Sequence, residues 1–333
     1  MRDGMVFRRA RGHIGRRSRI RCLPAALALM TLTAGCSGGV SSATGAQRLR
    51  VAPVARVVPL KQARRPTNTN STNRTSSTNR TSSTNRTSSI KNSKSAQQLL
   101  SAAVAPLVAT DGAHASVAVD DLSTGQTASY GGAREYDTAS IVKVDILSAL
   151  LYQAQQEGRP LTQDEQELAT RMIENSDNGA ASALFDDIGA DSGLDEANQA
   201  FGLTQTTAGV NGAWGLTTTT VDDQIRLLRL VFTTPSVLTA DSRGYIQSLM
   251  GQVEPDQQWG VSAAADEGTP FEVKNGWLPN PSLWEINSIG EVTHDGQTML
   301  IAVLSSDNQT EGAGISLVQD LAVQAADAVA QGQ

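Results

Sequence analysis

Two groups of strand-patterned segments stand at opposite ends of a long stretch with helical periodicity. Residues 116–119 and 127–130 alternate around a Ser123-Thr124-Gly125 turn, and residues 271–274, 285–293 and 298–304 follow much later. A lone two-stranded hairpin is marginal in water, so the early pair needs the later strands as neighbours. Asp295-Gly296 joins the last two strands and is a strong hairpin signal. Apolar residues recur at helical spacing in 97–108, from Ser140 onwards, and in 162–173, 179–188, 194–201, 221–231, 242–250 and 314–330. This order predicts an α/β (α+β) fold: one antiparallel sheet flanked by helices, with an inserted all-helical block.

All of these signals fall after residue 95. Residues 37–95 are poor in bulky apolar groups, and Thr-Asn-Arg-Thr-Ser-Ser occurs three times in 72–89. Such a segment buries too little to offset its ordering entropy, which predicts a disordered basic tether. It would either touch anionic lipid or wall polymer, or act as a plain spacer. Residues 1–36 have the layout of an export signal. Arg8, Arg9, Arg11, Arg16, Arg17, Arg19 and Arg21 precede a short apolar run at 23–34, and Arg16-Arg17 leaves a twin-arginine route open. Leu32-Thr33-Ala34-Gly35-Cys36 resembles a bacterial lipobox, in which Cys36 would be lipidated and hold the mature protein on the outer face of the membrane. Cleavage and release as a secreted protein is the alternative.

Charge divides at the same boundary. Residues 1–95 carry nineteen Lys+Arg and one acid, whereas 96–333 carry eight basic and thirty-two acidic residues, a net of −24. A domain of that charge repels phosphate, which excludes nucleic acid as a partner. Both cysteines, Cys22 and Cys36, precede it, so the folded part has no disulfide, thiol nucleophile or cysteine metal site. No metal or other cofactor is implied.

Only two lysines remain after residue 95, Lys143 and Lys274. Lys143 closes Ser140-Ile141-Val142-Lys143, where a helix start would put the amine at i+3 on the face of the hydroxyl. The chain also contains Ser88-Ser89-Ile90-Lys91 in the tether, with no helix to hold the pair together. Ser176-Asp177-Asn178 stands before the 179–188 helix and could by itself be a cap. Lys274-Asn275-Gly276 could by itself be a strand end and turn. Together, S-x-x-K, S-D-N and K-x-G in this order mark serine enzymes that open amides through an acyl-enzyme. His114 and His294, the histidines of the domain, have no such context, so a Ser-His-Asp triad competes poorly.

On these motifs, together with Trp214-Gly215-Leu216-Thr217 and Asn287-Ser288-Ile289-Gly290, residues 96–333 resemble the penicillin-binding and class A β-lactamase superfamily. The resemblance is closest to exported actinobacterial β-lactamase-related serine hydrolases. It implies Ser140 as nucleophile and Lys143 as its base, made neutral by burial and by the charge of Lys274. Ser176 would relay a proton to the leaving nitrogen. Asn178, Asn275 and Gly276 would line the substrate site, and the backbone N–H groups of Ser140 and Trp277 would form an oxyanion hole. A small-molecule or peptidoglycan-peptide substrate follows from the same resemblance.

The chain departs from that pattern in two places. Residues 197–220 contain no carboxylate to activate the deacylating water; Asn211 could hold a water there but could not take its proton. Asn275 replaces the usual hydroxyl residue, and residues 284–305 offer no Arg or Lys to help bind a substrate carboxylate. The expectation is therefore a serine hydrolase acting on a β-lactam or cell-wall amide, with slow deacylation. A non-hydrolysing penicillin- or wall-peptide-binding lipoprotein and a structural envelope protein remain as alternatives.

Overall fold

The structure, a computed structural model, describes residues 95–332. The signal, Cys36 and tether assignments lie outside the described residues. Helix α1 (Ala96–Asp111) starts at a capping box, with the Ser95 hydroxyl on the Gln98 N–H and the Gln98 side chain returning to Ser95. Strands β1 (His114–Asp121) and β2 (Thr127–Tyr130) form the early hairpin. Its turn is fixed by Asp121, whose carboxylate accepts from the Ser123 and Thr124 N–H groups and the Thr124 hydroxyl.

A short strand β3 (Tyr136–Asp137) and a 3₁₀ turn (Ala139–Ile141) lead into α2 (Val142–Glu157). The helical block continues with α3 (Gln163–Glu174), α4 (Asn178–Asp187) and α5 (Ala190–Phe201). Strand β4 (Thr218–Thr219) pairs with β3, and α6 (Val221–Phe232) and α7 (Ala240–Met250) follow. The chain then returns to the sheet through β5 (Glu272–Asn280), β6 (Leu283–His294) and β7 (Gln297–Asn308), and closes with α8 (Glu311–Gln331).

The sheet order is β2-β1-β7-β6-β5, with every pair antiparallel, so the late strands do complete the early hairpin. Central β7 alternates between two cores. Ile301 and Val303 face α1 and α8, while Leu300, Ala302 and Leu304 face the helical block. The sheet is thus covered on both sides, as the sequence order predicts.

Three local features differ from expectation. Ser140 lies in the 3₁₀ turn ahead of α2 instead of opening the helix. Helix α2 is buried continuously from Val142 to Leu151, because α3, α4, α5 and α7 all pack around it; a one-sided apolar stripe was expected. Strand β5 runs past Lys274 to Asn280, so Lys274-Asn275-Gly276 sits inside a strand. An edge strand tolerates Gly276 and Pro279 because its outer side needs no ladder partner.

Candidate active site

Ser140 owes its position to contacts from three distant segments. Ala139, just before it, holds a left-handed backbone at φ 47°, a conformation that costs a non-glycine residue about 1–3 kcal/mol and must be imposed by its surroundings. The buried Asn287 of β6 donates its amide to the carbonyls of Asp137 (2.8 Å) and Thr138 (3.1 Å), while its Oδ1 accepts from the Ser305 N–H. The Thr138 N–H donates to the Thr217 carbonyl at 2.8 Å. Gly276 closes the clamp, since a Cβ there would stand 2.7 Å from both the Ser140 nitrogen and the Thr138 oxygen. The strand can approach the nucleophile turn this closely only with glycine at that place.

The two lysines meet. Lys143 Nζ lies 2.6 Å from the Ser176 carbonyl, 2.9 Å from Ser176 Oγ and 2.8 Å from Asn178 Oδ1. Lys274 Nζ lies 3.1 Å from the same Ser176 Oγ and 3.0 Å from the Asn275 carbonyl. Both side chains are completely buried, and Ser140 and Ser176 are half-buried. The i+3 spacing led to the expectation that Lys143 would meet the Ser140 hydroxyl. Among the described residues its bonds go instead to three acceptors on the α3–α4 connection. Ser176 presents its carbonyl and hydroxyl together because its backbone is left-handed, at φ 53°.

Lys143 Nζ donates to all three of these acceptors, and Lys274 Nζ donates to the same Ser176 Oγ, so the two amines are joined through one hydroxyl. Burial pushes the Lys143 amine down to about 7, against the opposing charge of Asp177. Burial also pushes Lys274 well below the ordinary lysine range, and the charge of Lys143 adds to the effect. Burial is the main cause at both amines, and each amine lies close to the other across Ser176.

Trp214 supplies part of that burial. Its ring centroid lies 5.0 Å from Lys143 Nζ, and its indole N–H donates to Ser182 at 3.1 Å. Asp177 caps α4 through the Ala180 N–H at 2.7 Å, which places Ser176 and Asn178 on either side of that cap. Both readings of Ser176-Asp177-Asn178 hold together: its middle residue caps and its outer residues hold the amine.

Asn275 is not available as a substrate contact. It is 1% exposed, and its amide donates to the carbonyls of Gln257 (2.7 Å) and Trp259 (3.0 Å). Strand alternation puts Val273, Asn275 and Trp277 on the face opposite Lys274 and Gly276, and the Trp277 ring packs on Trp259 at 5.9 Å. His294 Nδ1 lies 2.7 Å from the Ala264 carbonyl and its Nε2 lies 3.2 Å from Asp327, with no serine in that pair of contacts. A cavity of about 340 Å³ lined by Leu151, Arg159 and Tyr245 shares no residue with the amine cluster.

Comparison with known proteins gives the family and the fold. The model of the beta-lactamase enzyme family matches residues 98–166 and 160–329. The chain belongs to the beta-lactamase enzyme family. A class A beta-lactamase of Bacteroides cellulosilyticus superposes with a TM-score of 0.62 at 17% identity, covering 71% of this chain and 99% of that one. A beta-lactamase of Chitinophaga pinensis gives 0.62 at 19% identity, covering 69% and 98%. PBP-A, solved as an acyl-enzyme complex with penicillin G, gives 0.61 at 20% identity, covering 71% and 97%. These likenesses establish the fold. The "Putative lipoprotein LppW" of Mycobacterium tuberculosis and of Mycobacterium bovis is 29% identical over 174 residues, or 50% of this chain. The alignment spans 55% of that relative's length. Among the described residues no helix is long and apolar enough to cross a membrane.

Proposed function

We propose that this family member is an exported serine hydrolase that opens an amide or lactam through an acyl-enzyme on Ser140. The observation that carries this reading is the convergence of two buried amines on Ser176 Oγ, beside a strained turn that presents Ser140. In the first step Ser140 Oγ bonds to the carbonyl carbon and its proton passes to the free amine of Lys143. The Ser140 and Trp277 N–H groups stabilise the oxyanion, and the closeness of Gly276 to the Ser140 nitrogen favours that pairing. The carbon–nitrogen bond then breaks, and the leaving nitrogen takes a proton from Ser176, resupplied from the lysines. Asn178 is exposed at the opening of the site and offers its amide to the substrate side chain.

Hydrolysis of the acyl-enzyme is slow in this account. Asp177 is the carboxylate whose charge bears on Lys143, and it is committed to capping α4. Asn211 is exposed in a left-handed backbone at φ 57° and has no proton to take or give as a base. Export as a lipoprotein on Cys36, with residues 37–95 as tether, completes the proposal; the name of the mycobacterial relative supports it.

Incubation with a panel of β-lactams, followed by intact-protein and peptide mass spectrometry, tests this reading. The expected result is one acyl adduct on Ser140 that outlasts the free drug. The acylation rate is expected to rise with pH and level off, with a midpoint near 7, because only the deprotonated Lys143 accepts the proton. Rapid catalytic loss of the drug would refute slow deacylation. A Ser140 that resists both β-lactams and a fluorophosphonate would refute the nucleophile assignment. An adduct that never turns over would favour a penicillin- or wall-peptide-binding protein over a hydrolase.

A further inference from the structure

Lys274 and Asn275, the motif residues placed to meet a substrate carboxylate, are already engaged. Lys274 Nζ is completely enclosed, with its bonds on Ser176 Oγ and the Asn275 carbonyl. The Asn275 amide is tied to the Gln257 and Trp259 carbonyls, so it cannot turn to an anion without releasing that loop. Strands β6 and β7, which continue the sheet beyond β5, contain neither Arg nor Lys. The domain as a whole is strongly acidic, which repels an approaching anion further.

The rim of the same site is apolar. Among the described residues three large hydrophobic side chains are exposed, Val210 (60%), Leu216 (49%) and Val237 (49%). The first two flank Trp214 in one tight turn, where the Ala213 N–H donates to the Val210 carbonyl and the Leu216 N–H to the Ala213 carbonyl. That turn packs against the 3₁₀ turn carrying Ser140, and its Trp214 ring covers Lys143. The turn that carries Trp214 and Leu216 is thus a neighbour of Ser140, and Val210 belongs to the same loop. Apolar groups kept in water beside a nucleophile are readily explained as a contact for an apolar arm.

We propose that the site takes uncharged acyl donors carrying an apolar arm and disfavours amides that bear a free carboxylate beside the scissile bond. This rests on Ser140 being the nucleophile and narrows what it attacks. Such donors are lactams, esters or amides whose neighbouring acid is absent or blocked. Burial lowers the pKa of Lys274, which weakens its hold on an anion and supports the same conclusion. A bound carboxylate would have to be desolvated against that amine.

The decisive pair is benzylpenicillin and its methyl ester, which share the lactam and the phenylacetyl arm and differ only in the carboxylate. Acylation of Ser140 in the purified protein is expected to be faster with the ester by about tenfold or more. Replacing phenylacetyl by acetyl in the ester is expected to slow acylation by about tenfold, and Leu216→Ser is expected to remove most of that difference. Leu216 is half in solvent, so the variant has little reason to unfold. Equal or faster acylation by the free acid, with Ser140 still labelled by a fluorophosphonate, overturns the substrate class and leaves the nucleophile standing. An arm effect that survives Leu216→Ser overturns the rim assignment. Failure of both penicillins and the fluorophosphonate overturns both readings.

Discussion

Lys143→Arg and Lys143→Met are each expected to slow acylation of Ser140 by about 1,000-fold, through loss of the base. Methionine is close to lysine in shape, and the acceptors it would abandon, Ser176 and Asn178, lie at a half-open surface where water can replace the amine. The fold should survive, so the rate falls without loss of the native circular dichroism spectrum. Arginine separates two roles that lysine combines. It keeps a positive charge and more N–H donors than lysine, but it does not give up a proton near neutrality. If Lys143 acts as a fixed charge, Arg should retain a rate within about tenfold of the parent. If Lys143 acts as a base, Arg should be as slow as Met. Stopped-flow or quenched mass spectrometry of the adduct distinguishes the two.

Gly276→Ala is expected to disrupt the turn that carries Ser140. The new Cβ would meet the Ser140 nitrogen and Thr138 oxygen at 2.7 Å and the Ile141 nitrogen at 2.9 Å. All three are backbone atoms, so no side-chain rotation relieves the clash. Either β5 moves away from the turn or the turn moves away from β5. Both displace Ser140 from the proposed oxyanion donors, and misplacement on that scale costs about 100-fold in rate. Overpacking adds a stability loss of about 1–3 kcal/mol. Gly244→Ala in α7 is the control, because its Cβ would meet nothing within 4 Å. Alanine there is expected to raise stability by about 0.5–1 kcal/mol through helix propensity. Thermal melts of the two variants should therefore move in opposite directions, and only Gly276→Ala should slow acylation.

These two glycines also show what the sequence could and could not convey. The two separated sets of strand-patterned residues were enough to anticipate one antiparallel sheet covered by helices, and residues 299–304 are apolar throughout because both faces of β7 are buried. Lys143, Ser176 and Lys274 were legible as a group because lysine is so scarce in the domain that its retention needs a reason. The clamp around the nucleophile was not legible. Asn287 acts on carbonyls 150 and 149 residues away, and an asparagine in an apolar strand gives no sign of which backbone it will hold. Trp214 covers Lys143 from a turn whose own pattern is that of a loop. Gly276 adopts ordinary strand geometry, so its requirement arises from a neighbour and from nothing in its local sequence. Asn275 was read as a substrate contact from its place in a motif, but strand alternation sends its side chain to the other face, where it ties down the Gln257–Trp259 carbonyls.

The account depends on an amine that is free near neutral pH, and lysine-selective ¹³Cε NMR reads that state directly. The full chain has five lysines, of which Lys61, Lys91 and Lys94 lie before the folded domain. Lys143, assigned by its loss in Lys143→Arg, is expected to titrate with a midpoint near 7, and Lys274 is expected to stay neutral well below the ordinary range. Five lysines titrating together above about 10 would contradict the buried-amine mechanism.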